Sequence, residues 1–168
     1  VPIRKYLITL TDAELEICRQ ATISRLERIN QNGYKHREPA TQDDKTNFHN
    51  NYRGIVTELA AAKYFDESYE ANKPCDRSRN DLLNGCEVRS LQAKYSWGCM
   101  IVHKWDKPAP YVLVSLTENP NEFMVIGWRD LVDCRIQKYW RDDMPAPAYF
   151  VPQADLHDMA TLKQRFAA

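Results

Sequence analysis

Asp81-Leu82-Leu83-Asn84-Gly85-Cys86-Glu87-Val88-Arg89-Ser90 is the stretch on which the fold turns. Asn84-Gly85 favours the backbone angles of a tight hairpin, and the residues on either side suit short strands, so the stretch predicts strand, turn, strand. A strict two-residue turn would oppose Leu82 to Glu87 and send the Asp81 and Glu87 carboxylates to different faces. A three-residue loop, Leu83-Asn84-Gly85, opposes Asp81 to Glu87 instead, and it is preferred because glycine suits the third, left-handed position. Residues i and i+2 of a strand share a face. Glu87 and Arg89 therefore project together while Val88 turns to the core.

Downstream, Met100-Ile101-Val102 and Tyr111–Leu116 read as strands, the second nearly all apolar and so central. Asn119-Pro120-Asn121 turns the chain into a strand over 122–128, and a short helix is expected near 129–132. The prolines of 145–152 exclude an interior helix. Leu156, Met159, Leu162 and Phe166 mark a closing helix. Upstream, a helix is expected over about 48–65, with Ile55, Leu59 and Ala62 facing the core and Gly54, Glu58 and Ala61 beside them. The small Gly54 and Ala61 would let a neighbouring strand approach Glu58. Residues 3–10 suggest a short strand, and Thr11-Asp12-Ala13-Glu14 is a capping box. The helix after it carries Leu15, Cys18, Thr22, Leu26 and Ile29 on one stripe and stops near Asn32-Gly33. A polar loop with Pro39 fills 34–47. This order predicts an α/β fold with a mixed central sheet flanked by helices. One domain is expected over 1–168, with an N-terminal strand, helix and loop in 1–47 and the core in 48–168.

A chain of 168 residues, 43% of them hydrophobic, can bury a sizeable core. Twenty-three basic residues cancel twenty-three acidic ones, which excludes a wholly basic coat or an acidic disordered tail. The balance is local, however. Lys73, Arg77, Arg79, Arg89, Lys94, Lys104 and Lys107 outnumber Asp76, Asp81, Glu87 and Asp106, a bias suited to a phosphate-facing surface. No apolar run approaches the roughly 18–20 residues of a membrane helix, so no membrane partner is expected. The opening Val1-Pro2-Ile3-Arg4-Lys5 leads into no long apolar stretch, and no secretory leader is expected. Five cysteines without a CxxC pair, and four scattered histidines, argue against structural zinc and for reduced thiols in a cytoplasmic setting.

Three acids stand out by placement: Glu58 on a helix, Asp81 at the head of the hairpin, and Glu87 on its second strand. Mg²⁺ takes oxygen ligands and keeps water in its other positions. Asp81, Glu87 and the Val88 carbonyl could hold one beside a phosphate. These residues resemble the PD-(D/E)XK nuclease superfamily. The likeness runs from Gly54 to Phe65 around Glu58, through Asp81 and Glu87-Val88-Arg89-Ser90, to the strands at Gly98–Val102, Tyr111–Val114 and Val125–Trp128. It covers about residues 48–166, and Tyr149-Phe150-Val151-Pro152 with the helix after it looks like small phage-encoded members.

The resemblance implies a restriction-endonuclease-like core and an enzyme that hydrolyses phosphodiester bonds in DNA with Mg²⁺ or Mn²⁺. Asp81 and Glu87 would be metal ligands, joined by Val88 through its carbonyl and by Glu58 directly or through water. Arg89 stands at the family's lysine position. Arginine stays protonated, so Arg89 can hold a phosphate or stabilise negative charge but cannot take a proton from water. The alternative is a catalytically inactive nuclease-fold protein acting in nucleic-acid binding or phage assembly. Arg77, Arg79, Lys94 and Lys104 are the candidate phosphate contacts. Trp97 and Trp105, which flank the basic stretch, are the candidate base-stacking rings. Asp76 could replace Asp81 as a ligand if the hairpin were longer. Lys94 could replace the missing lysine only if a bulge near Ser90-Leu91 reversed its face. A second copy of the chain is an optional partner.

Overall fold

The computed structural model describes residues 2–31, 44–73 and 79–168. Its elements are β1 (Tyr6–Thr9), α1 (Asp12–Gln31), α2 (Asp44–Tyr64), β2 (Glu87–Leu91), β3 (Met100–Val102), β4 (Pro110–Leu116), β5 (Glu122–Asp130), α3 (Leu131–Cys134), β6 (Trp140–Arg141), β7 (Ala148–Val151) and α4 (Met159–Ala167). The capping box forms as the sequence suggests. Thr11 donates its N–H to Glu14 Oε2 at 2.7 Å, and Glu14 donates its N–H to Thr11 Oγ1 at 3.1 Å. The helix α2 begins about one turn earlier than the apolar pattern indicates, because the polar residues ahead of Phe48 continue the same helical turn.

The main sheet has the order β1-β5-β4-β2. Strand β4 pairs antiparallel with β5 and parallel with β2, so the sheet is mixed. As its composition requires, β4 is an interior strand, buried from Tyr111 through Ser115. β2 is an edge strand. A second sheet, β3-β7-β6, accounts for the remaining strands. Met100–Val102 is therefore a strand of this smaller sheet and not of the central one.

The period of two along β4 divides its side chains between two cores. Val112 and Val114 join a cluster with Leu15 and Cys18 of α1, Ile55 and Val56 of α2, and Met159 and Leu162 of α4. Tyr111 and Leu113 join the other, with Met100, Val102, Val151, Leu131 and Cys134. The three long helices thus pack on one face, and the small sheet with α3 covers the other. The mixed sheet with helices packed on it agrees with the α/β reading of the sequence. What the sequence did not assign is the second sheet, whose short strands share the Tyr111 face with α3.

Two further expectations are corrected. Residues 81–83 are not a strand, and β2 pairs in parallel with β4, not with 81–83. The turn itself matches the three-residue reading. Leu82 donates to the Cys86 carbonyl at 3.1 Å, Gly85 donates to the Leu82 carbonyl at 3.1 Å, and Gly85 has φ +90°. A β-carbon on Gly54 would meet nothing within 4 Å, so this glycine clears no path for a strand. Gly127 does. There a β-carbon would lie 2.8 Å from the His157 carbonyl, where the chain entering α4 bridges to Trp128.

Candidate functional site

Parallel pairing aligns Glu87 with Tyr111 and Arg89 with Leu113. Glu87 and Arg89 therefore share the face turned to the small sheet, while Val88 faces the helices with Val112. Asp81, in the turn ahead of β2, closes on the same strand: its Oδ2 accepts the Val88 N–H at 2.8 Å. Glu58 approaches from α2 on the helical side. Its Oε2 accepts a 2.5 Å hydrogen bond from the Tyr69 hydroxyl and lies 3.4 Å from Lys73 Nζ. Lys73 also donates to the Asp81 carbonyl, linking two of the three acids. A cleft of about 490 Å³ opens beside them, lined by Tyr69, Lys73, Arg79, Asp81 and Leu83 among others.

The third acid has its own partner. Lys107 Nζ lies 2.9 Å from Glu87 Oε1. The residue before it, Asp106, pairs with Arg89 at 2.7 Å. Consecutive residues Asp106 and Lys107 thus match the arginine and the glutamate of Glu87-Val88-Arg89, charge for charge. Arg89 also donates Nε–H to the Ile101 carbonyl at 3.1 Å and Nη1–H to the Val88 carbonyl at 3.4 Å. Its guanidinium carbon sits 4.7 Å from the centre of the Tyr111 ring. The Val88 carbonyl, expected as a metal ligand, is accordingly already faced by Arg89.

The electrostatics follow from this crowding. Burial, and then the Asp81 charge, push the Glu87 carboxyl up to about 7, against the opposing pull of Lys107 and Arg89. Burial and then Asp81 likewise raise Glu58, with Lys73, Tyr69 and Arg25 pulling the other way. Burial disfavours the charge on Arg89, but Asp106, with Tyr111 and Asp81, more than offsets this and its pKa rises. Burial alone accounts for most of the rise of Cys86 and Cys134 to about 12 and Cys18 to about 11, which leaves these thiols protonated and unreactive.

Asp81 is therefore close enough to load both glutamates with repulsion. Yet no three His, Cys, Asp or Glu side chains among the described residues group so as to hold a metal ion. The reason is geometric: Glu58 belongs to the helical layer, Glu87 to the opposite face of the sheet, and Asp81 to the strand end between them. The donor set nonetheless fits a hard divalent cation in kind. All three are carboxylates, and Asp81 repels each of the two glutamates. A metal there would have to displace the lysine pairs of Glu58 and Glu87.

The remaining candidates disperse. Arg77 and Asp76 lie outside the described residues. Arg79 is exposed on the cleft rim, and its carbonyl accepts a bond from Lys107. Lys94 is exposed on a 3-10 turn beyond the end of β2 and lies over the Tyr95 ring, so no bulge brings it to the Glu87 face. Lys104 is exposed and stacks 4.3 Å over Trp140. Sequence reading missed Lys73, Tyr69, Asp106 and Lys107 as partners. Asp106 and Lys107 lie on the approach to β4, which is parallel to β2 and so starts at the same end of the sheet; the hairpin reading of 81–90 hid that pairing. No helix among the described residues is long and apolar enough to cross a membrane. No family model, curated protein or solved structure matches the chain, and a functional reading rests on the site's own chemistry.

Proposed function

We propose that this protein is a divalent-cation-dependent phosphodiester hydrolase acting on DNA, of the PD-(D/E)XK type with a restriction-endonuclease-like core. The observation that carries the reading is the tie between Asp81 Oδ2 and the Val88 N–H, which fixes one carboxylate at the head of the strand bearing Glu87 and Arg89. Asp81 and Glu87, with Glu58 from the helical side, would hold Mg²⁺ or Mn²⁺. Such an ion supplies an activated water and neutralises charge on a phosphate. Arg89, held in place by Asp106, contributes only electrostatic stabilisation of the phosphate oxygens. The Arg79 and Lys104 side chains, both exposed, suit the nucleic-acid backbone.

One observation favours a second reading. Glu58 and Glu87 already have lysine partners, which suits a nuclease-fold protein that binds nucleic acid or assembles with other proteins without cutting. Cleavage of single-stranded, duplex and branched DNA in Mg²⁺ and Mn²⁺ separates the two. The hydrolase reading expects metal-dependent products that Glu87→Gln abolishes, together with weaker Mg²⁺ binding by that variant in calorimetry. Absence of both cleavage and Mg²⁺ binding in the wild type would leave the non-catalytic reading.

A further inference from the structure

The charged pair Asp106-Lys107 belongs to a turn, His103-Lys104-Trp105-Asp106, and that turn is braced beyond ordinary need. Asp106 donates its N–H to the His103 carbonyl at 3.2 Å, and Asp106 Oδ2 accepts the His103 N–H at 2.7 Å. Arg135 donates Nε–H and Nη2–H to the His103 carbonyl at 3.3 and 3.0 Å, and Nη2–H also to the Asp106 carbonyl. Arg89 grips the Asp106 carboxylate from below. At the tip stands Trp105. Its ring stacks on His103 with centroids 4.6 Å apart and an interplanar angle of 3°, yet 60% of the residue is exposed. Holding an indole in the open forgoes the burial of roughly 150–250 Å² of apolar surface.

We infer that Trp105, backed by His103, is a stacking platform for an unpaired nucleobase beside the carboxylates, which makes single-stranded or locally opened nucleic acid the substrate class. The inference rests on the nucleic-acid reading above. Three features carry it. An aromatic face on a rigid support binds any base at little ordering cost, worth roughly 1–3 kcal/mol per base. Lys107, two residues on, reaches Glu87, and Asp106, one residue on, pairs with Arg89, so the turn that carries the ring borders the charged face of β2. Lys104, beside it in the turn, is exposed and keeps its charge at the surface over the Trp140 ring. Trp97 is more exposed, at 76%, but meets Tyr95 only edge-on at 6.4 Å, and its neighbours reach neither Glu87 nor Arg89.

The test uses the full chain in EDTA, where cleavage is silent, with a short fluorescein-labelled oligothymidylate and a duplex of equal length. Trp105→Ala should weaken oligothymidylate binding about tenfold. Trp105→Phe should retain most of the affinity, and Trp97→Ala should match wild type. The duplex should be affected less than the single strand. The ring makes none of the turn's hydrogen bonds, and circular dichroism checks the fold of each variant. Wild-type affinity in Trp105→Ala, an equal loss in Trp97→Ala, an equal loss on duplex, or no binding by the wild type would each overturn the platform. Failure of the hydrolase reading looks different: Trp105-dependent binding would persist while Mg²⁺ gives no products.

Discussion

The two faces of β2 obey different rules. On one, Val88 packs with Val112 among the helices in an apolar core. On the other, Glu87 and Arg89 are partly or largely buried and answered one for one by Lys107 and Asp106. The apolar face specifies where the strand sits. The charged face is expensive to form, since each group gives up water for partners within the protein, and buried pairs of this kind seldom stabilise a fold over apolar residues of the same size.

The largest effect should come from crossing the two rules. Val88→Asp places a carboxylate against Val112 and α2 with no partner, at a cost of about 3–5 kcal/mol, a large share of a typical domain's total stability. We expect loss of cooperative thermal unfolding. Glu87→Gln, one residue away, should keep a cooperative transition. Equal stability of the two variants would mean that the faces do not differ as described.

The next largest effect separates the members of the charged face. In the cleavage assay, Arg89→Ala should slow the reaction by on the order of 10²-fold, as for loss of one donor to a developing negative charge. Arg89→Lys should fold, bind metal and retain measurable cleavage. Asp106→Asn keeps an acceptor for the His103 N–H but withdraws the ionic contact that positions Arg89, so a smaller loss is expected. Wild-type rates in Arg89→Ala would remove the arginine from the chemistry and direct attention to Lys107.

How much of this was legible in the sequence differs between the same two faces. The apolar face was readable because burial imposes a period: Val88 inward, β4 central, α2 with Ile55 and Ala62 to the core. The Leu83-Asn84-Gly85 loop was readable because only glycine adopts φ +90° without strain. The charged face was half readable. Alternation put Glu87 and Arg89 together, but their partners Lys107 and Asp106 come from a loop far along the chain, and no local pattern records that return. The small sheet was missed for a related reason. Strands of two to four residues carry too little alternation to reveal which sheet they join, and pairing between 100–102 and 149–151 is a long-range fact.

A smaller, pH-dependent effect sharpens the contrast. Burial and Asp81 raise Glu87 from 4.5 to about 7. The folded protein then holds a proton that the unfolded chain has released between those values. Its contribution to stability is full below about 4.5 and is lost as pH rises through about 7. Glu58 shifts in the same direction. Denaturant unfolding from pH 5 to 8 should show stability falling by on the order of 2 kcal/mol, and Glu87→Gln should flatten that slope. Mg²⁺ at millimolar levels should oppose it by favouring the ionised carboxylates. An unchanged slope in Glu87→Gln would assign the titration elsewhere.

The smallest effect tests the helical side alone. Gly54 lies within α2, one turn ahead of Glu58, where a glycine costs helix stability and a β-carbon would meet nothing within 4 Å. Its carbonyl accepts from Thr57 Oγ1 at 3.0 Å, a bond that alanine leaves in place. Gly54→Ala should therefore stabilise the protein by about 0.5–1 kcal/mol, mainly by restricting the unfolded chain. For a domain of this size that is roughly 1–4 °C in Tm. The cleavage rate and the pH slope should not move, because no partner of Glu58 shifts. A loss of stability would show that α2 needs its glycine for a closer approach than the structure has. A changed pH slope with unchanged stability would show that the backbone around residue 54 tunes Glu58, and that the helical face is not the inert counterpart of the charged one.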